Sequence, residues 1–350
     1  MKVIQTVRGY IKPENLGVTL MHEHTFWDQS CYRMELPEAH TQRAFLQSKV
    51  SIEMLGKLRY NMHQHWDNVV NTDPELSTAE MNEFKCAGGH SICDVSTYGL
   101  GRDSKGVRRV SAATGLNIVL GTGLYVQQSR PKALGEMSAA QLTELFVKEG
   151  TVGDENGILA GLIGEIGISD DSLPKPDVDL LKIVADVQKE TGLSVMIHPP
   201  FFEKKAHAIL DILEKAGADL ERVIYAHIDP QCEDIDYQVS IAERGVCLEY
   251  DEFGHDFPCT LERYTRKWLP SDIQRVRGIA GLIERGHLDR VIVSQDICFK
   301  AMLKKYGGAG YSHILENIVP SMKDEGITDE HLNTIFINNP KRLLTVERER

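Results

Sequence analysis

The sequence predicts a closed (β/α)8 barrel, a TIM-barrel architecture, and three observations carry that prediction. Eight short runs rich in β-branched residues recur along the chain, and most are followed by an amphipathic stretch. Most of the runs are continuously apolar rather than alternating, as parallel strands covered on both faces are. No G-x-G-x-x-G or P-loop follows the first run, so nucleotide binding has no support. An open doubly wound sheet is the runner-up architecture.

The runs are Gly17–His24, His90–Ser96, Asn117–Thr122 and Ala160–Ile166, then Leu193–His198, Arg222–His227, Gly245–Tyr250 and Arg290–Asp296. Between them lie stretches with helical periodicity: Ser138–Glu149, Val178–Thr191, Lys204–Ala216, Glu233–Arg244 and Ile273–Arg285. Several stop at a glycine, as at Gly192, Gly217, Gly245 and Gly286, where a left-handed cap carries no steric cost. One region breaks the rhythm. The stretch 27–85 is far longer than one strand–helix connection and carries Trp27, Tyr32, Phe45, Tyr60 and Trp66. On a barrel it lies beside the C-terminal face, as part of the specificity wall or as a hairpin that only buttresses the strands. The whole chain, 1–350, reads as one domain with this insertion.

Composition narrows the function. The 350 residues are 42% hydrophobic and 26% charged, enough to bury a core without disulfides, and the formal net charge is −12. That sign opposes nucleic acid and anionic membrane as partners and leaves a small-molecule substrate. The first residues lack the apolar core of a signal peptide, and no run reaches the length of a membrane span. Seven cysteines without a C-x-x-C pair read as reduced thiols, which points to the cytoplasm.

The polar residues at the strand ends carry the chemistry. His22 and His24 lie one residue apart on a strand, so their side chains point the same way. Glu165 interrupts the apolar fourth run, and the fifth, sixth and eighth runs end in His198, His227 and Asp296. Singly, each histidine has a structural explanation as a hydrogen-bonded core residue, Glu165 as a buried ion-pair member and Asp296 as a helix cap. Together, six metal-competent groups on five strand ends converge on the face where barrel active sites are built. His63 and His65 form a second H-x-H, in a stretch that reads as helical, where i and i+2 cannot share an ion. His40, His207, His287, His313 and His331 read as solvated, and His90 starts the second strand at the wrong end. His255, after the seventh run, is a candidate substrate contact.

At this point the chain resembles the phosphotriesterase family of the amidohydrolase superfamily. The resemblance rests on Thr6-Val7-Arg8-Gly9 through Thr19-Leu20-Met21-His22-Glu23-His24 and on Asp94-Val95-Ser96-Thr97 with Gly101-Arg102-Asp103. Gly121-Thr122-Gly123 and Asn338-Asn339-Pro340 complete it. It implies two divalent metal ions, usually Zn2+, with His22, His24 and Asp296 on the more buried ion and His198 and His227 on the other. Much of the family bridges the ions with a carboxylated lysine. This chain has only Glu165 there, as in the branch of phosphotriesterase-related and resiniferatoxin-binding proteins, and a glutamate draws the ion pair closer to the fourth strand.

The resemblance implies metal-assisted hydrolysis, with Asp296 as the proton shuttle. Carboxylic esters and lactones come first as substrates, N-acyl amino acids or N-acyl amino sulfonates second, and phosphotriesters as a side activity. A small-ligand-binding protein on the same scaffold is the non-enzyme alternative. Tyr125, just past the third run, reads as a substrate contact or a packed rim aromatic, and Tyr98 as a weaker case of the same. Arg102 reads as structural, and Arg263 and Arg266 as possible grips for an anionic tail. A homodimer is an expectation at the level of the family only.

Overall fold

All eight predicted runs form strands of one parallel sheet in a computed structural model that describes residues 1–261 and 267–348. The strands are β1 (Thr19–Glu23), β2 (Ser91–Asp94), β3 (Asn117–Thr122), β4 (Ala160–Gly167), β5 (Val195–His198), β6 (Val223–Tyr225), β7 (Cys247–Tyr250) and β8 (Val291–Val293). Each pairs with its neighbour in sequence order, as successive right-handed crossovers require. The two ends then meet. The Asp296 amide donates to the His22 carbonyl at 3.1 Å, and the His22 amide donates to Ser294 Oγ at 2.9 Å. The sheet is therefore a closed (β/α)8 barrel, and the open doubly wound alternative falls.

The amphipathic stretches form the outer helices, among them α1 (Pro74–Cys86), α2 (Ser104–Thr114), α3 (Ala139–Thr151), α4 (Lys175–Thr191), α5 (Ala206–Lys215), α6 (Ile235–Ala242) and α7 (Asp272–Glu284). Local chemistry starts and stops them. Ser138 opens α3 with a capping box to Gln141, and Gly192 closes α4 in the left-handed region at φ 70°.

The barrel interior holds one apolar residue from every strand: Met21, Cys93, Val119, Leu162, Met196, Ile224, Cys247 and Ile292. A three-stranded sheet of Lys2–Thr6, Gly9–Ile11 and Val346–Glu347 closes the bottom, and Ile4, Leu16 and Leu343 plug it from below. No helix of the described residues is long and apolar enough to cross a membrane.

The 27–85 insertion divides between the two roles considered for it. Trp27 is fully buried, and Trp27–Asp28 pairs with Val70–Asn71 at its root, while Tyr60 stays largely exposed. Only 29–35 and His63 reach the mouth of the barrel. The helix expected around His63 and His65 is absent. Residues 59–69 form turns instead, because the His63 amide and ring both bond Thr260 Oγ1, at 3.1 and 2.9 Å, across 197 residues of chain. His65 is buried against Phe45, so the two rings still share nothing.

Candidate metal centre

Strand ends bring the six predicted side chains into one buried cluster. β6 stops at Tyr225 and β8 at Val293, earlier than the sequence predicts, so His227 and Asp296 stand in the turns just beyond. Both adopt the left-handed backbone region, at φ 52° and 46°, where a non-glycine residue is strained and must be held by its surroundings. Glu165 rises from β4 beside a close approach of backbones. A Cβ on Gly121 of β3 would lie 1.9 Å from the Gly164 carbonyl oxygen, so only glycine lets β3 pass there.

The distances describe a double site around Glu165. Its Oε1 lies 3.5 Å from His24 Nε2, and its Oε2 lies 3.7, 2.9 and 3.6 Å from His22 Nε2, His198 Nδ1 and His227 Nε2. Asp296 Oδ1 lies 3.0 Å from His24 Nε2 and 3.8 Å from His22 Nε2. One carboxylate therefore faces both histidine pairs, and the other lies against the His22–His24 pair with His227 within 4.8 Å.

The remaining nitrogens of the four imidazoles are all engaged, which fixes the tautomers. His24 Nδ1 meets Ser96 Oγ at 2.9 Å, and that hydroxyl already donates to the Phe26 carbonyl, so the imidazole must be the donor. His227 Nδ1 donates to Asp251 at 2.8 Å, and His22 Nδ1 lies 3.2 and 3.3 Å from Asp251 and Glu249. In all three the inward Nε2 keeps its lone pair. His198 runs the other way round, with Nδ1 inward and Nε2 3.3 Å from the Tyr125 hydroxyl.

Electrostatics and hydrogen bonding test whether these residues suit cations. Three inward atoms, His22 Nε2, Glu165 Oε2 and Asp296 Oδ1, are buried without a hydrogen-bond partner. Burial pushes the Glu165 carboxyl up, but His198 and His22 outweigh it and hold it well below the usual range. Burial likewise raises Asp296, yet the close His24 imidazole and then its neighbours His22 and His227 bring it down to about 2. Burial lowers His22 and His227, and their carboxylate neighbours more than reverse that, raising both well above the ordinary value. Anionic carboxylates this deeply buried need positive charge, from imidazolium protons or from metal ions that displace them. The inward nitrogens of His198 and His227 lie 2.7 Å apart, so a proton or an ion must stand between them, and the donor set of four imidazoles and two carboxylates fits divalent metal.

Above the cluster opens a cavity of about 650 Å³. His198 and Asp296 form part of its floor, and Tyr32, Arg33 and His63 from the insertion and Phe201 line its sides. Tyr125 is buried, and its hydroxyl accepts from Tyr32 at 3.0 Å. Tyr98 points elsewhere, to Glu149 at 2.5 Å, and is no part of the cavity. Arg102 also binds Glu149, at 3.1 Å, and is structural as expected. His255 lines the cavity, but its Nε2 donates to the Gln295 and Asp296 carbonyls at 2.9 and 3.1 Å. Arg263 and Arg266 lie outside the described residues. His313, expected to be solvated, is half-buried and 2.8 Å from Asp272.

The sequence matches the Phosphotriesterase family over residues 2–344. The chain belongs to that family. A Dictyostelium discoideum protein named N-acetyltaurine hydrolase is 37% identical over 368 residues, covering 98% of each chain. A Nematostella vectensis phosphotriesterase-related protein is also 37% identical, over 97% of this chain and 98% of its own. The crystal structure of a resiniferatoxin-binding protein from Rhodobacter sphaeroides superimposes with a TM-score of 0.93 at 36% identity, covering 98% of this chain and 94% of that one.

Three acidic residues escaped the sequence reading. Asp251 and Glu249 orient the imidazoles of His22 and His227, and two acids in the apolar run Cys247-Leu248-Glu249-Tyr250-Asp251 carry the same signal that singled out Glu165. Glu23, between the paired histidines, faces the opposite way. Its carboxylate accepts from Ser294 Oγ and from the Gln295 and Ile297 amides, at 2.9 to 3.0 Å, and so pins the turn that carries Asp296.

Proposed function

We propose that the protein is a binuclear-metal hydrolase that cleaves the amide bond of N-acyl amino acids or N-acyl amino sulfonates. The observation that carries this reading is the end-to-end similarity to an N-acetyltaurine hydrolase. The six-residue cluster supports it. Esters and lactones, placed first from sequence alone, move to second place. The seven free cysteines support a cytosolic setting.

In this proposal His22, His24 and Asp296 would hold one ion and His198 and His227 the other, with Glu165 available to both. Zinc suits a set of imidazoles and carboxylates. Divalent ions in such a site supply a Lewis acid and make water a nucleophile at neutral pH. The chain's own groups do the rest. Asp296, anionic and facing the cavity floor, takes the proton of the attacking water and delivers it to the amide nitrogen as the C–N bond breaks. A carboxylic acid and a free amine result. With its Nδ1 engaged by a metal ion, His198 would donate from Nε2 to Tyr125, which also accepts from Tyr32, so the Tyr125 proton would be free to donate to the substrate carbonyl oxygen. His255 holds the Asp296 backbone and acts as a positioning residue rather than a substrate contact.

The test is turnover of metal-loaded protein on N-acyl amino acids, N-acyl amino sulfonates, lactones and phosphotriesters, with metal content measured on the same sample. The expected result is two ions per chain and preferred cleavage of the amides. Preferred lactone cleavage would restore the ester reading, and fewer than one ion with no turnover would remove the hydrolase reading.

A further inference from the structure

Arg33 reaches the same cavity from the insertion, and the reaction as derived leaves it unused. Among the described residues lining the cavity it is the only lysine or arginine, while Glu35, Glu252 and Asp296 contribute carboxylates. Its setting differs from that of the structural arginines. Arg102, Arg130 and Arg275 are each held by carboxylates. Arg33 is held instead by a neutral carbonyl and an indole: Nη2 donates to the Trp66 carbonyl at 2.9 Å, and the guanidinium lies over the Trp66 ring at 5.2 Å. These contacts orient the fork without neutralising its charge. Its Nε is buried and has no hydrogen-bond partner, a condition that a bound acceptor would relieve.

Position and charge complete the argument. Arg33 follows Tyr32, whose hydroxyl lies 3.0 Å from that of Tyr125, itself 3.3 Å from His198 Nε2. Arg33 thus lines the same cavity as the hydroxyl pair and His198. An anionic substrate entering a chain of net charge −12, past lining carboxylates, needs a local cation. We propose that Arg33 binds the anionic end of the substrate, a carboxylate or sulfonate carried on the amine side of the scissile amide. The proposal rests on the amide-hydrolase reading and adds a charge requirement to it. A planar fork with several free N–H groups accommodates either anion.

Three amides that differ only at that end provide the test: N-acetyl-β-alanine, N-acetyltaurine and uncharged N-acetylpropylamine. For Arg33→Gln in the metal-loaded protein, kcat/KM on one or both anionic amides falls at least tenfold more than on the neutral one, chiefly through KM. Arg33→Lys, which keeps the charge but not the fork, recovers part of the loss. Equal effects on all three amides overturn the assignment, as does a wild type that prefers the neutral amide, and both leave amide hydrolysis standing. If wild type cleaves none of the three, the hydrolysis reading fails and calorimetric binding decides about Arg33. Anion binding weakened tenfold by Arg33→Gln supports the site, and equal or absent binding overturns it.

Discussion

The same eight strands build two regions of opposite chemistry within a few residues of each other. Below, the barrel interior is a layer of eight apolar side chains, one per strand, sealed by Ile4, Leu16 and Leu343. Above, four imidazoles and the carboxylates of Glu165, Glu249, Asp251 and Asp296 crowd together, nearly all fully buried. The floor gains free energy by leaving water. The mouth loses it, because burying charged groups is costly unless they are paired. The molecule therefore uses the stability of one layer to hold the other in an arrangement that would not persist alone, and the two layers should respond to substitution in different currencies.

The sharpest way to break this division is at the mouth. Glu165→Gln removes the carboxylate facing both histidine pairs and should lower turnover on the order of a hundred- to a thousandfold, with metal content falling alongside. Asp296→Asn should lower turnover comparably while retaining much of the metal, since the amide oxygen still ligates but no longer shuttles a proton. Turnover assays paired with elemental analysis separate the two. If Asp296→Asn keeps near-native turnover, that residue leaves the chemistry.

At the floor the expected effect is on stability. Leu162→Ala opens a cavity at the centre of the interior layer and should cost about 2–4 kcal/mol in denaturant unfolding. Its metal content should stay at two ions per chain. A floor variant that loses metal while keeping its stability would show that the layers are not separable.

Ser96→Ala tests the groups behind the ligands. The Ser96 hydroxyl orients His24 and donates to the Phe26 carbonyl, so its loss should weaken metal affinity roughly tenfold, read by competition with a chelating dye.

The smallest effect concerns pH. His22, His24 and His227 are raised above their unfolded values, and burial lifts Glu23 to about 7 and Glu249 to about 8. Groups with raised folded values bind more protons folded than unfolded, so their contribution is lost as pH rises through those values. Glu165 and Asp296, held low, contribute above about pH 4 and lose that only in stronger acid. His63, His65, His198 and His255, lowered by burial, act with the opposite sign in this window but are outnumbered by the raised groups. Chelated protein should therefore melt at a higher temperature at pH 5.5 than at pH 8. Metal-loaded protein should show the reverse, because protons compete for the ligands. Melting curves at the two pH values, with and without chelator, check both signs.

The two regions were unequally legible in the sequence. All eight strands and all six clustered side chains could be read, because an apolar run broken by His, Glu or Asp departs from its own pattern. Asp251, Glu249 and Glu23 were harder. Their work is to accept hydrogen bonds from histidines or from a distant turn; the apolar run around Glu249 and Asp251 marks those two as buried acids, but nothing in it names the partners they serve. The His63 segment misled for a related reason. Local periodicity favoured a helix, and a bond to Thr260 across the chain overrode it. Arg33 offered no signal at all, since only the fold brings this insertion residue to the wall of the cavity.

The clasp around Glu23 has a consequence for how the protein comes into being. His22 and Ser294 stand 272 residues apart, yet the seam between the first and last strands is stitched by Glu23 from inside the H-E-H sequence itself. A growing chain carries His22 and His24 long before Asp296 can join them. Until the ring shuts, the histidines have only part of their cluster. Completing the cluster and completing the barrel are therefore one event, and a chain cut short of the eighth strand has neither.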